Sequence, residues 1–280
     1  MSLILHIPSH PLNVYIHNLY YVDGLAPYPD EKILPDSQLD LKINFGGAIQ
    51  AYQADQAESF ETCSDSWCVG LWSEYHVVDW PLEMQYFGVS FKSGGAYPFL
   101  QLPLSELHNQ VVSPDAFWGH CAAEIRERMY AALTMKARFA LLEKYLLARL
   151  CPVSYGIRAV QYALAQIARR HGALSIRALS DQMGISQNHL GTQFKRLVGG
   201  TPKELARLYR FQHAIRSIDP IQPVDWTRVA HQFHYYDQSH FNKDFVEFTG
   251  HNPSEYLRLR RRVRDENPQR AQYLRLLPAD

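Results

Sequence analysis

Between Ser186 and Leu205 the chain carries a pattern that recurs 51 residues downstream. Ser186 falls on Asp237, Leu190 on Phe241, Phe194 on Phe245, Leu197 on Phe248, Gly199 on Gly250 and Pro202 on Pro253. Such a duplication restricts the fold, because each copy must close its own small core while presenting the same kind of polar face. Each copy reads as a short helix, a tight turn and a second helix. The first opens at Ser175, runs through Ile176, Leu179 and Met183, turns at Gly184 and recaps at Ser186. The second opens at Asp225, runs through Trp226, Val229, Ala230 and Phe233, turns through His234 to Tyr236 and recaps at Asp237. Ser and Asp suit these positions because their oxygens accept the free N–H groups of a first turn. The layout is that of a helix-turn-helix, whose second helix enters the DNA major groove.

In each second helix the apolar positions form one stripe and leave the opposite face polar. That face carries Gln187, Asn188, Thr192 and Lys195 in the first copy, with Arg196 beside them. In the second copy it carries Gln238, Ser239, Asn242 and Lys243, with His240 alongside. Asn and Gln can pair with adenine, while Lys and Arg reach guanine or phosphate. Any surface helix has a polar face, but a polar face at the same phase in two copies points to DNA. The stretch Thr201 to Ile218, started by Pro202 and stopped before Pro220, reads as one connecting helix of roughly 27 Å at 1.5 Å per residue. A connector of that size suits two readers on successive major-groove faces about 34 Å apart.

Charge separates the chain into two parts. Residues 1 to 154 hold 9 Lys and Arg against 17 Asp and Glu, whereas 155 to 280 hold 19 against 11, so a net charge of zero hides a basic second half. Phosphate contact requires such a half, since counterion release supplies the sequence-independent affinity. Arg258, Arg260, Arg261, Arg262 and Arg264 either add backbone contacts or form a solvated, partly disordered tail.

From about 155 to 258 the chain resembles the AraC/XylS family of transcription regulators. The resemblance rests on Tyr235-Tyr236-Asp237-Gln238-Ser239-His240-Phe241, Asp244-Phe245, Phe248-Thr249-Gly250 and Pro253-Ser254-Glu255-Tyr256. In the first copy it rests on Gly184-Ile185-Ser186, His189-Leu190, Phe194-Lys195-Arg196 and Gly199-Gly200-Thr201-Pro202. It implies two helix-turn-helix subdomains joined by a long helix and bound to promoter DNA. His234 departs from a usual turn glycine, and Gly191 stands where a larger side chain is common. Sequence reading by the first copy is therefore expected to rest on Asn188 and Thr192.

The first 150 residues follow another pattern. Val14 to Val22, Leu39 to Phe45, Trp67 to Trp72 and Met84 to Phe91 are short runs rich in β-branched and aromatic residues, separated by Gly, Pro and Asp. They predict an antiparallel barrel or sandwich. Leu34 to Leu41, with Asn44-Phe45-Gly46-Gly47 and Phe91 to Phe99, is similar to the cupin-like sensory domains that precede some regulators of this family. Two helices are expected next, Pro114 to Ala132 and Thr134 to Leu150. The second places Phe139, Leu142, Tyr145, Leu146 and Leu150 near one side, for packing on the barrel or on a second subunit. The expected class is thus α+β, with a sensory domain at 1–153, a DNA-binding domain at 154–265 and a tail at 266–280.

No enzyme is expected. His6, His10, His17 and His76 are scattered in the strand region, and Cys63, Cys68, Cys121 and Cys151 lack compact metal spacing, so no metal, cofactor or catalytic residue is assigned. No apolar run approaches the roughly 18 residues of a membrane span, and four unpatterned cysteines suit a reducing cytoplasm. The expected function is sequence-specific transcription regulation, activation being favoured by family analogy, in the cytoplasm at the nucleoid. Promoter DNA is the expected partner and RNA polymerase is implied by the family. A small-molecule or protein effector and a homodimer are the remaining options, with no effector residue named. The alternative is an interaction module tethered to DNA without sequence preference, which would show only the phosphate term.

Overall fold

The computed structural model describes residues 2–53, 60–151, 156–268 and 275–279. The front half forms strands β1 (Ser2–His6), β2 (Ile16–Leu25), β3 (Asp30–Ile33), β4 (Leu39–Asn44), β5 (Ile49–Gln53), β6 (Phe60–Cys63), β7 (Ser66–Val69), β8 (His76–Asp79), β9 (Glu83–Phe91) and β10 (Val111–Val112). One more strand, β11 (Leu276–Pro278), comes from the far end of the chain. A six-stranded sheet runs in the order β1-β2-β9-β4-β7-β10, and a five-stranded sheet in the order β11-β3-β8-β5-β6. Among the described residues both keep free edges, so the front half is a sandwich and not a closed barrel.

Period-two alternation gives the six-stranded sheet two different faces. On β4, Leu39, Leu41 and Ile43 point to one side and are buried, while Asp40 and Lys42 point to the other. The apolar side is covered by helices α1 (Tyr97–Leu100), α2 (Asp115–Trp118), α3 (Cys121–Ala131) and α4 (Met135–Arg149). Phe139, Leu142 and Leu146 of α4 join Leu41, Phe87 and Val89 in one core, so this helix packs on its own sandwich. The single helix expected over Pro114 to Ala132 is two, interrupted at Gly119 and His120.

From Ile157 to Glu266 the regular elements are helices: α5 (Ile157–Arg169), α6 (Ile176–Gln182), α7 (Gln187–Val198), α8 (Pro202–Arg216), α9 (Trp226–Gln232), α10 (Gln238–Thr249) and α11 (Pro253–Glu266). The connector α8 has Pro202 at its first position and a capping box in which Thr201 accepts from the Glu204 N–H. Its 15 residues make it about 22 Å long, shorter than the sequence suggested. The arginine cluster lies on α11, where Arg260 is buried and Arg261 Nε donates to the Pro220 carbonyl at 2.6 Å. It is therefore part of a helix and not a tail. The expected junction between halves, Cys151 to Gly156, falls largely outside the described residues.

The two halves share their cores. Leu71 of the sandwich is buried with Leu190, Phe194 and Leu197 of the first unit. Leu34 and Leu277 are buried with Phe241, Phe245 and Phe248 of the second.

Candidate nucleic-acid interface

All four expected helix caps form. The side-chain oxygens of Ser175 and Ser186 accept from the N–H groups of Ala178 and His189 at 3.2 and 3.1 Å. Those of Asp225 and Asp237 accept from Arg228 and His240 at 3.1 and 2.7 Å. After α6 and after α9 the chain reverses through a left-handed residue, Gly184 at φ 66° and His234 at φ 60°. His234 thus occupies a conformation that glycine adopts without strain and other residues adopt rarely. The next amide closes both turns in the same way: Ile185 N donates to Ser180 O at 3.1 Å, and Tyr235 N to Ala230 O at 3.0 Å. The second turn then holds one extra residue, Tyr236, which is 87% exposed. For that reason α6 and α9 stand 50 residues apart while α7 and α10 stand 51 apart.

Burial sorts the expected contact residues. On α7, Gln187, Asn188, Thr192, Lys195 and Arg196 are all exposed, and on α10 so are Ser239, His240 and Lys243. The Thr192 hydroxyl donates to the Asn188 carbonyl at 3.0 Å. Gln238 and Asn242 are half-buried. The Gln238 amide oxygen accepts from the Thr227 hydroxyl at 2.8 Å, and the Asn242 amide oxygen is buried without a hydrogen-bond partner among the described residues. Asn242 is accordingly less available to a groove than the sequence suggested. Arg196 is engaged elsewhere: its Nε and Nη2 donate to the Tyr97 hydroxyl of α1 at 3.1 and 2.8 Å.

Each recognition helix ends in a left-handed glycine against which the sandwich docks. A β-carbon on Gly199, at φ 103°, would lie 3.1 Å from the Leu104 carbonyl oxygen, and one on Gly250, at φ 71°, 2.6 Å from the Tyr75 ring. The two units are tied together by Arg207 of α8, whose Nη2 bridges Asp244 and Glu247 of α10 at 2.7 and 2.8 Å. Burial opposes the charge on Arg207, but the two carboxylates outweigh it and raise its pKa. Sequence reading missed Tyr97, Leu104, Tyr75 and Arg207 because their partners lie far away in the chain and no local pattern marks them.

Residues 179–259 match the helix-turn-helix domain family, and residues 5–113 match a domain of unknown function (DUF6597). The matched region is a helix-turn-helix domain of the AraC type. No curated protein has a matching sequence. Among solved structures, an apo variant of ToxT from Vibrio cholerae strain SCE256 is similar at 11% identity and a TM-score of 0.45, over 85% of this chain and 96% of that one. Unsaturated fatty acid bound wild-type ToxT from the same strain is similar at 12% identity and a TM-score of 0.38, over 92% and 95%. The AraC-like transcriptional activator CuxR gives 12% identity and a TM-score of 0.24, over 75% and 86%. Among the described residues, no helix is long and apolar enough to cross a membrane, and no group of three His, Cys, Asp or Glu could hold a metal ion.

A second site lies inside the sandwich. A cavity of about 470 Å³ separates the two sheets, with Asp40, Lys42 and Ser90 on one face and Trp67, Trp72 and Tyr86 around it. Gln212 of α8, and Arg275 and Leu276 at β11, also line it, so the cavity reaches the AraC-type domain. Burial lowers the Lys42 pKa although Asp40 opposes this. Burial, with Lys42 and Arg275 nearby, pushes His76 down to about 3, so its imidazole is neutral at physiological pH.

Proposed function

We propose that this chain is a sequence-specific transcription activator of the AraC family, with a sensory part spanning 1–153 and a DNA-binding part spanning 154–265. The observation that carries the reading is the pair of capped second helices, each with its stripe buried and its polar face toward solvent. Asn188, Gln187 and Thr192 of α7, and Ser239 and Lys243 of α10, are the exposed set best placed to read base edges, with Lys195 and His240 at the phosphates. Gln238 retains its amide N–H groups for an acceptor, while Arg196 becomes available once it leaves Tyr97. Two readers on one connector suit a bipartite site with elements about one helical turn apart. The cavity supports modulation by a small effector, and its contact with α8 and β11 supplies a route to the DNA-binding part. Recruitment of RNA polymerase and pairing with a second copy belong to this reading by family analogy. No catalytic role is proposed, and a DNA-binding role implies a location with the chromosome in the cytoplasm.

Selection of bound DNA from a randomised pool by the full-length chain tests the reading. The expected outcome is a bipartite motif preferred over random DNA by about a thousandfold or more. Asn188→Ala is expected to relax one base pair at a cost of about 1–3 kcal/mol while leaving the rest of the motif intact. Binding that depends on salt but selects no motif would instead favour a tether held by phosphate contacts alone.

A further inference from the structure

Strand positions that face another sheet are ordinarily apolar, because a buried polar group without a partner is costly. Here β4 turns Asp40 and Lys42 into the interior, with their charged ends 3.9 Å apart. An Asp40 carboxylate oxygen, the Trp72 indole nitrogen and the His76 Nδ1 are buried and have no hydrogen-bond partner among the described residues. All three residues line the same cavity between the sheets. Unsatisfied polar atoms of a native protein require an explanation, and three around a single cavity share one: a molecule that supplies the missing partners. The space of about 470 Å³ lies within the range of small-molecule sites.

The lining also specifies the chemistry of that molecule. Trp80 stacks on Tyr86 at 6.0 Å between ring centroids and Trp67 leans on the same ring at 6.3 Å, which favours a flat apolar body. At the polar end Asp40 needs a donor, whereas Lys42 and the Trp72 N–H offer donors. A hydroxyl serves both at once. A carboxylate would accept from Lys42 but repel Asp40 and leave its oxygen unsatisfied.

One wall of the cavity does not belong to the sandwich. Asp36, 8% exposed, accepts from the Ser37 N–H at 2.6 Å and from Gln212 Nε2 of α8 at 3.1 Å, and pairs with Arg275 at 2.6 Å. The Leu34 N–H donates to the Arg275 carbonyl at 2.8 Å, continuing the β11–β3 pairing toward the same point. Sandwich, connector and C-terminal strand therefore meet at one buried carboxylate that faces the cavity.

We propose that the cavity binds a neutral, flat, largely apolar molecule with one hydroxyl-type head, and that occupancy is passed to the DNA-binding half through the Asp36 junction. The proposal rests on the reading of the front half as the effector-receiving part of a regulator. Calorimetric titration of the full-length chain with 1-naphthol and with 1-naphthoate tests it. The expected result is one 1-naphthol per chain, bound about tenfold or more tighter than the naphthoate. Trp72→Phe, which keeps the ring and removes the donor, is expected to weaken 1-naphthol about three- to tenfold. Ala51→Phe, which fills the cavity, is expected to abolish binding, and Trp72→Phe carries the test if that chain does not fold.

Naphthoate binding as tight as naphthol binding, or heat from neither, would overturn the assigned chemistry. Hydrogen exchange at the Leu34 and Ala279 amides reads the coupling: 1-naphthol is expected to slow both several-fold, and Arg275→Ala to bind the probe without that slowing. Binding with unchanged exchange in the unsubstituted chain would overturn the coupling. Both measurements are made without DNA, so a failed DNA selection would refute the regulator reading and leave these results standing.

Discussion

His76 is pulled by the fold far below its ordinary titration range. It stacks on Trp72 at 4.2 Å inside the sandwich, and its pKa falls from 6.5 to about 3. The unfolded chain binds this proton below about 6.5 and the folded chain only near 3, so unfolding takes up a proton between those values. Stability from this group is complete above pH 6.5 and declines as pH falls through the window, by at most about 1.4 kcal/mol per pH unit. Denaturant midpoints measured from pH 7 to 4 are expected to show that decline, and His76→Phe to flatten it. Phe245 presents a simpler case. It is fully buried and packs against Phe211, Trp226, Phe241 and Tyr256 with centroids 5.2 to 6.0 Å away. Phe245→Ala is expected to cost about 3–5 kcal/mol in chemical unfolding, as a core truncation does.

At the scale of elements, the sequence disclosed what is decided locally. Ser175, Ser186, Asp225 and Asp237 mark helix starts because a cap needs only its own side chain and the next turn, and the stripe at Leu190, Phe194 and Leu197 marks which face is buried. The break at Gly119 was harder to see, since one or two residues barely disturb a helical periodicity. Strand β11 was not legible at all. Its three residues, Leu276 to Pro278, are too few for an alternation pattern, and their pairing is set by an edge on the opposite side of the chain. The candidate contact residues were legible as a polar face, but their availability was not, because Thr227, Tyr97 and the packing around Asn242 are tertiary. Arg207 belongs to the same class. Removing it leaves Asp244, whose side chain is 2% exposed, without its cation. Arg207→Ala is expected to cost about 2–3 kcal/mol, the lower side of a broken buried pair because Arg207 itself is partly exposed, and to loosen α10 from α8. Comparing amide exchange in α10 with that in α7 checks it: α10 is expected to open first.

Across the whole molecule, an acidic half lies against a basic one, and Arg196 shows how the contact limits the DNA surface. Its guanidinium sits over the Tyr97 ring at 5.3 Å and donates to the hydroxyl, so one cation of the first recognition helix is held by the sandwich. Tyr97→Phe removes the acceptor and keeps the ring. It is expected to raise affinity for random duplex DNA a few-fold and to steepen the salt dependence by about 0.9 in log–log slope, the increment for one further phosphate contact. Binding measured over a salt series decides this, and an unchanged slope would mean that Arg196 stays on the sandwich when DNA is bound. The C-terminal strand has a consequence of another kind. Arg275 and Leu34 touch across 241 residues of chain, so the edge of β3 emerges from the ribosome long before the strand that covers it. During synthesis that edge is open to pairing with a neighbouring chain. A nascent or truncated product that stops after α11 would therefore be the species most inclined to aggregate, although every helix of its DNA-binding half has already been made.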